Sequence, residues 1–148
     1  MITVAIADDS SVVRNNMCSL LETESGIGIV GEAADGLEAV RLVERLKPNV
    51  LVLDLAIGGM NGIELIKQVA KSSPGTGVVV FSMRTDAAYV VESLRAGAKA
   101  YVTKDSNSDE LIHAICQVAI GQHHLSPPLS KESIEAYGEK SSSTSEEK

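Results

Sequence analysis

The sequence predicts an α/β fold, a doubly wound parallel sheet of five strands in the order 2-1-3-4-5. Three observations point to it. Short runs rich in β-branched residues alternate with longer stretches of helical period. Most of those runs are apolar at consecutive positions, as strands covered on both faces must be. Polar residues recur at the ends of the runs, where an open parallel sheet keeps its ligand crevice.

The first strand is read over residues 2–7 (ITVAIA), and Val13, Met17, Leu20 and Leu21 then make the apolar stripe of a first helix. The second strand covers 27–33 (IGIVGEA). Asp35, three residues before Glu38, opens a second helix with a stripe of Ala39, Leu42, Val43 and Leu46. The third strand covers 49–55 (NVLVLDL), and Asn61 with Glu64 opens a third helix over 62–71. The fourth strand is 77–82 (GVVVFS). Thr85 and Asp86 open the next helix, which carries Ala87, Val90, Val91 and Leu94. The fifth strand is 99–103 (KAYVT), and Ser108 opens a last helix carrying Leu111, Ile112, Ile115, Val118 and Ala119, with Gly121 as its stop. Right-handed crossovers place these helices on both faces of the sheet.

The 148 residues suffice for one domain, and 44% hydrophobic content with only 3% aromatics predicts an aliphatic core. A net charge of −7 offers nothing to nucleic acid or to an anionic membrane surface. The N-terminus has no basic leader and no stretch reaches the length of a membrane span. Cys18 and Cys116 lie far apart with no metal-ligand or redox spacing, so both read as reduced thiols. The expected setting is cytoplasmic. After residue 121 the composition changes: paired prolines, a possible short helix from Lys131 to Tyr137, and a polar run, KSSSTSEEK, too poor in apolar residues to order itself. Residues 122–148 are therefore read as a linker or tail, with His123 and His124 as its surface residues rather than metal ligands.

Asp8 and Asp9 close the first strand, Asp54 the third and Ser82 the fourth, and Lys104 follows the fifth. In the order 2-1-3-4-5 the first and third strands adjoin where the order reverses. Asp8, Asp9 and Asp54 then share one pocket, with Ser82 and Lys104 on its other side. Two carboxylates about 4 Å apart repel by roughly 4 kcal/mol at an effective dielectric near 20, and a bound cation relieves this. An all-oxygen set suits Mg²⁺, which takes one or two carboxylates and a phosphoryl oxygen while keeping waters. Lys104 opposite the metal leaves room for a tetrahedral dianion, and Ser82 can donate a hydrogen bond to one of its oxygens. The pattern points to phosphoryl transfer with Asp54 as the nucleophile that forms an aspartyl phosphate. Asp8 and Asp9 are placed as metal ligands, with Ser10 competing with Asp8 to cap the first helix.

The segments ADDS (7–10), VLDLAIGGMNGIEL (52–65), VVVFSM (78–83) and AGAKAYVTKDS (96–106), at these spacings, together resemble the receiver domain of two-component response regulators, a flavodoxin-like (CheY-like) fold. The resemblance covers residues 2 to about 121 and makes 1–121 the receiver domain. The run from GAKAYVTKDS through GQHHLSP is similar to receivers that precede a LuxR/NarL-type helix-turn-helix output domain. The resemblance implies that a sensor histidine kinase phosphorylates Asp54 in a Mg²⁺-dependent step. Asp8, Asp9, Asp54 and the backbone carbonyl of Ala56 would bind the metal, and Lys104 and Ser82 would contact the phosphoryl group. Tyr101 matches a switch aromatic that rotates inward as Ser82 moves, which carries the change to the face of the fourth helix, fifth strand and fifth helix, where homodimers or output partners bind.

The sequence departs from that family in three places. Ile57 and Gly58 replace a common Met-Pro, which predicts a loose loop after Asp54; Asp105 replaces a common Pro; and Ala56 and Arg84 occupy the variable positions that tune phosphoryl lifetime. The expected role is the regulatory half of a DNA-binding transcription regulator, in a truncated chain that itself binds no nucleic acid; a stand-alone receiver acting through protein contacts is the alternative. A haloacid-dehalogenase-type hydrolase is disfavoured, because ADDSSV does not match its D-x-D-x-[TV] nucleophile strand.

Overall fold

The computed structural model describes residues 1–125. The expectations for the paired prolines, the short helix and the polar run lie outside those residues. Elements alternate along the chain: β1 (Ile2–Ala7), α1 (Ser11–Glu22), β2 (Ile27–Ala33), α2 (Gly36–Leu46), β3 (Val50–Leu53), α3 (Gly62–Ser72), β4 (Gly77–Ser82), α4 (Ala87–Ala96), β5 (Ala100–Thr103), α5 (Ser108–Ala119) and β6 (His124–Leu125). Every strand pair is parallel. The order β2-β1-β3-β4-β5-β6 contains the expected 2-1-3-4-5 arrangement and adds a sixth strand within the segment assigned to the linker.

The central strands separate their side chains by a period of two. Ala5, Ala7, Leu51, Leu53, Val78, Val80 and Tyr101 face one core with Leu42, Val43, Leu65, Ile66 and Val90. Val4, Ile6, Val50, Val52, Val79 and Val102 face another with Met17, Leu21, Leu111, Ile115 and Val118. The helices α2, α3 and α4 therefore cover one face, and α1 and α5 the other. Both faces of β1 and β3 being closed explains why those strands carry almost no polar residue before their C-terminal ends. Edge strand β2 is only partly buried along its middle.

Helix starts follow short polar side chains that satisfy free backbone donors. Ser10 accepts the Val13 N–H, which leaves the Asp8 side chain free of that task. Asp35 accepts from Glu38, and Asn61 from Ile63 and Glu64, as expected. Asp86 occupies the cap position of α4 without making the cap bond, because its carboxylate binds Arg84 instead. The cap of α5 is Asn107, one residue before the expected Ser108. Leu46 closes the α2 stripe in sequence but is exposed, since α2 ends there and the left-handed Lys47 turns the chain away. At the end of α5, Gly121 takes φ +86° and reverses the chain, as its position predicts.

Candidate functional site

The first and third strands end side by side, and their next residues build the site. Asp8 donates its N–H to the Ala33 carbonyl (3.1 Å), and Asp54 donates to the Ala7 carbonyl (3.0 Å), so both acids hang from extended backbone at one sheet edge. Asp8 and Asp54 are buried while Asp9 is exposed. One oxygen from each of the three lies within 4.8 Å of the others. This donor set fits a hard divalent cation, which accepts carboxylate oxygens at open coordination geometry and completes its shell with water.

The Lys104 ammonium closes the site from the opposite side. Its Nζ lies 2.9 Å from Asp54 Oδ2 and 3.0 Å from Asp8 Oδ2. Its backbone N–H donates to the Ser82 carbonyl (2.8 Å), which ties the turn after β5 to the end of β4. A second bond, from Ser106 N–H to the Thr103 carbonyl, closes that turn around Lys104 and Asp105. Burial alone would lower the Lys104 pKa, but the hydrogen bonds and charges of Asp54 and Asp8 outweigh it and raise it above the ordinary lysine value.

The second oxygens of the two acids are held by backbone. Asp8 Oδ1 accepts the Ser10 N–H and Asp54 Oδ1 accepts the Ala56 N–H, both in short Asx-type turns. Ala56 is thus at the site through its own amide. The loop that follows, where the Met-Pro is missing, makes several contacts of its own. Ile57 is buried in the core and donates to the Asp54 carbonyl, Gly58 accepts from Gly36, and Gly62 lies so close to Leu55 that an added Cβ would sit 2.6 Å from the Leu55 carbonyl. An apolar anchor at 57 and a close backbone approach at 62 do the holding.

Ser82 is buried, and its Oγ accepts the Arg84 N–H at 3.1 Å. Its side chain also hydrogen-bonds that of Tyr101. Tyr101 is fully buried with its hydroxyl donating to the Arg84 carbonyl (2.9 Å), so the ring already occupies the inward position. Burial pushes its phenol pKa up. The two switch residues therefore meet each other directly and at the backbone of Arg84, whose guanidinium binds both Asp86 oxygens and lies 3.6 Å from the Tyr89 ring centre. In the sequence Arg84 is marked only as a variable position, and nothing local signals a hub made by backbone atoms. Arg14, which no motif singles out, donates to the Asp8 carbonyl at 2.5 Å and pairs with Glu32. His124, read as a surface residue, instead contacts the Glu110 carboxylate, with the His113 ring edge-on at 5.0 Å. Cys18 and Cys116 are both free thiols. Among the described residues, no helix is long and apolar enough to cross a membrane.

Comparison with known proteins gives a consistent answer. Residues 4–116 match the family model for the response regulator receiver domain. The chain is 41% identical over 126 residues to the transcriptional regulatory protein YhcZ of Bacillus subtilis, covering 85% of this chain and 58% of that protein. It is 35% identical over 127 residues to the nitrate/nitrite response regulator protein NarL of Escherichia coli, covering 86% and 59%. The chain thus spans about three-fifths of the length of these relatives. A crystal structure of a LuxR-family two-component response regulator from an Aurantimonas species superposes with a TM-score of 0.82 at 33% identity, covering 86% of this chain and 91% of that one.

Proposed function

Because the chain belongs to the response regulator receiver domain family, we propose that Asp54 accepts a phosphoryl group from a partner histidine kinase and that the resulting acyl phosphate sets an output state. The observation that carries this reading is the position of Lys104 Nζ, within 3.0 Å of both Asp54 Oδ2 and Asp8 Oδ2. A lysine drawn between buried acids marks the place where a dianion would be neutralised.

In this reading the Asp54 carboxylate attacks the donor phosphorus, a new O–P bond forms, and the donor's P–N bond breaks with its electron pair left on the imidazole. The Ala56 amide holds one Asp54 oxygen and so orients the carboxylate. Lys104 transfers its hydrogen bonds from the free carboxylates to the phosphoryl oxygens. Ser82 donates its hydroxyl hydrogen to another phosphoryl oxygen while keeping the Arg84 N–H as its own donor partner. Asp8, Asp9, Asp54 and the Ala56 carbonyl would hold Mg²⁺, which when bound supplies charge neutralisation to the phosphoryl oxygens. The domain is then a phosphoryl-accepting signalling element that catalyses its own modification rather than an enzyme for an external substrate.

The named regulatory relatives extend beyond the matched region, and we assign the output to transcription through a DNA-binding part of a longer protein. The face formed by α4, β5 and α5 is the proposed dimerisation or output surface, and the cytoplasm, with its reducing conditions, is the proposed setting. Residues 1–121 are the proposed receiver unit and 122–148 the proposed linker or tail, whose first residues pair with the sheet as β6. Incubation with acetyl phosphate and Mg²⁺ followed by intact-mass measurement tests the reaction. One phosphoryl adduct is expected on the wild type and none on Asp54→Asn. Equal adducts on both would end the assignment, and an adduct formed equally well in excess chelator would remove the metal.

A further inference from the structure

Strand β5 has hydrogen-bonded neighbours on both sides, and Tyr101 lies opposite Val80 of β4 and Leu125 of β6. Gly121 turns the chain back from α5, and the His124 N–H donates to the Lys99 carbonyl (3.2 Å). The His124 ring contacts Glu110 on α5, while Leu125 packs against the core cluster that contains Tyr101. Three different contacts therefore dock a two-residue strand. Such a short edge strand is the least stable part of a sheet and can open without unfolding the rest.

An unbroken line of contacts joins this strand to the site. Ser82 Oγ accepts from the Arg84 amide, the Arg84 carbonyl accepts from the Tyr101 hydroxyl, and Tyr101 is in register with Leu125. Resting on the receiver reading above, we propose that β6 is a latch whose docking holds Tyr101 inward and is coupled to occupancy of the Asp54 site, so that the segment that carries β6 responds to phosphorylation. The inward ring keeps Arg84 in place through its hydroxyl, and it also bonds the Ser82 side chain directly, so Tyr101 and Arg84 together hold Ser82. A phosphoryl group that bonds Ser82 fixes this serine against Arg84 and Tyr101 and therefore favours the docked strand. Coupling is reciprocal: whatever releases β6 weakens binding at the site by the factor with which site occupancy tightens β6.

The test uses the full 148-residue chain, beryllofluoride with Mg²⁺ as the phosphoryl mimic, and two variants. Leu125→Asp removes the apolar contact, and His124→Pro removes the N–H donor and the imidazole together; thermal melts confirm that both remain folded. Calorimetric titration gives beryllofluoride affinity, and amide hydrogen exchange reports β6 docking. Beryllofluoride should slow exchange of the wild-type His124 amide about fivefold, and both variants should bind it about fivefold more weakly, the low end of usual coupling factors. Unchanged affinity in a folded His124→Pro protein, or unchanged His124 exchange on saturating the wild type, would overturn the latch while leaving the receiver reading intact. Failure of the wild type to bind beryllofluoride at all would overturn the receiver reading and the latch with it.

Discussion

Replacing Lys104 with methionine keeps the length of the side chain and removes its charge, which leaves Asp8 and Asp54 facing each other with Asp9 nearby. At separations of 2.9 and 3.0 Å, each ion contact is worth about 5–6 kcal/mol of gross attraction at an effective dielectric near 20. Most of that offsets desolvation, so the observable loss is that of breaking a buried pair, about 3–5 kcal/mol. The Lys104 side chain is 17% exposed, and water reaching the vacated space places the expectation at the low end, about 3 kcal/mol. Urea unfolding followed by far-UV circular dichroism measures it directly, since the chain has no tryptophan.

Two dependences separate this mechanism from simple loss of packing. Mg²⁺ should stabilise Lys104→Met more than it stabilises the wild type, because the cation replaces the missing positive charge. The wild-type Lys104 pKa is raised in the folded state, so its contribution is complete below the ordinary lysine value near 10.5 and is lost as pH rises through the folded value. The gap between the two proteins should therefore close at strongly alkaline pH. A variant as stable as the wild type at pH 7 without Mg²⁺ would refute the charge argument.

Two other outcomes follow from the structure. Gly62→Ala puts a methyl group against the Leu55 backbone and should cost about 1–3 kcal/mol, as overpacked sites do; its denaturation midpoint checks this, and an unchanged midpoint would mean the Asp54 loop can yield. The Cys18 pKa is raised from 9.0 to about 11, first by burial and then by Glu32. In a Cys116→Ser background its alkylation rate should climb about tenfold per pH unit from 8 to 10 without levelling, and Glu32→Gln should speed it. A rate already flat by pH 9.5 would contradict that environment.

The sheet order and the positions of Asp8, Asp54, Ser82 and Lys104 were legible because they follow from periodicity and from where strands end. The caps at Asp35 and Asn61 were legible because capping acts within three residues. Strand β6 was not, since two residues after a turning glycine have no period, and their extended state comes from pairing with β5. Ile57 reads in sequence as a substitution that frees a loop, because its burial in the core cluster comes from the folded packing and not from local pattern. The contact of His124 with Glu110 was hidden for the same reason: a turn at Gly121 brings together residues 14 apart. Arg84 became a hub through its backbone, which side-chain chemistry does not advertise.

The chemistry proposed for the site converges on one group, the Asp54 carboxylate. Treating the wild type with acetyl phosphate and Mg²⁺ and then reducing it with borohydride converts an aspartyl phosphate to homoserine, which peptide mass mapping locates by residue. Homoserine is expected at position 54 and at no other aspartate. Homoserine at Asp8 or Asp9 with none at Asp54 would contradict it.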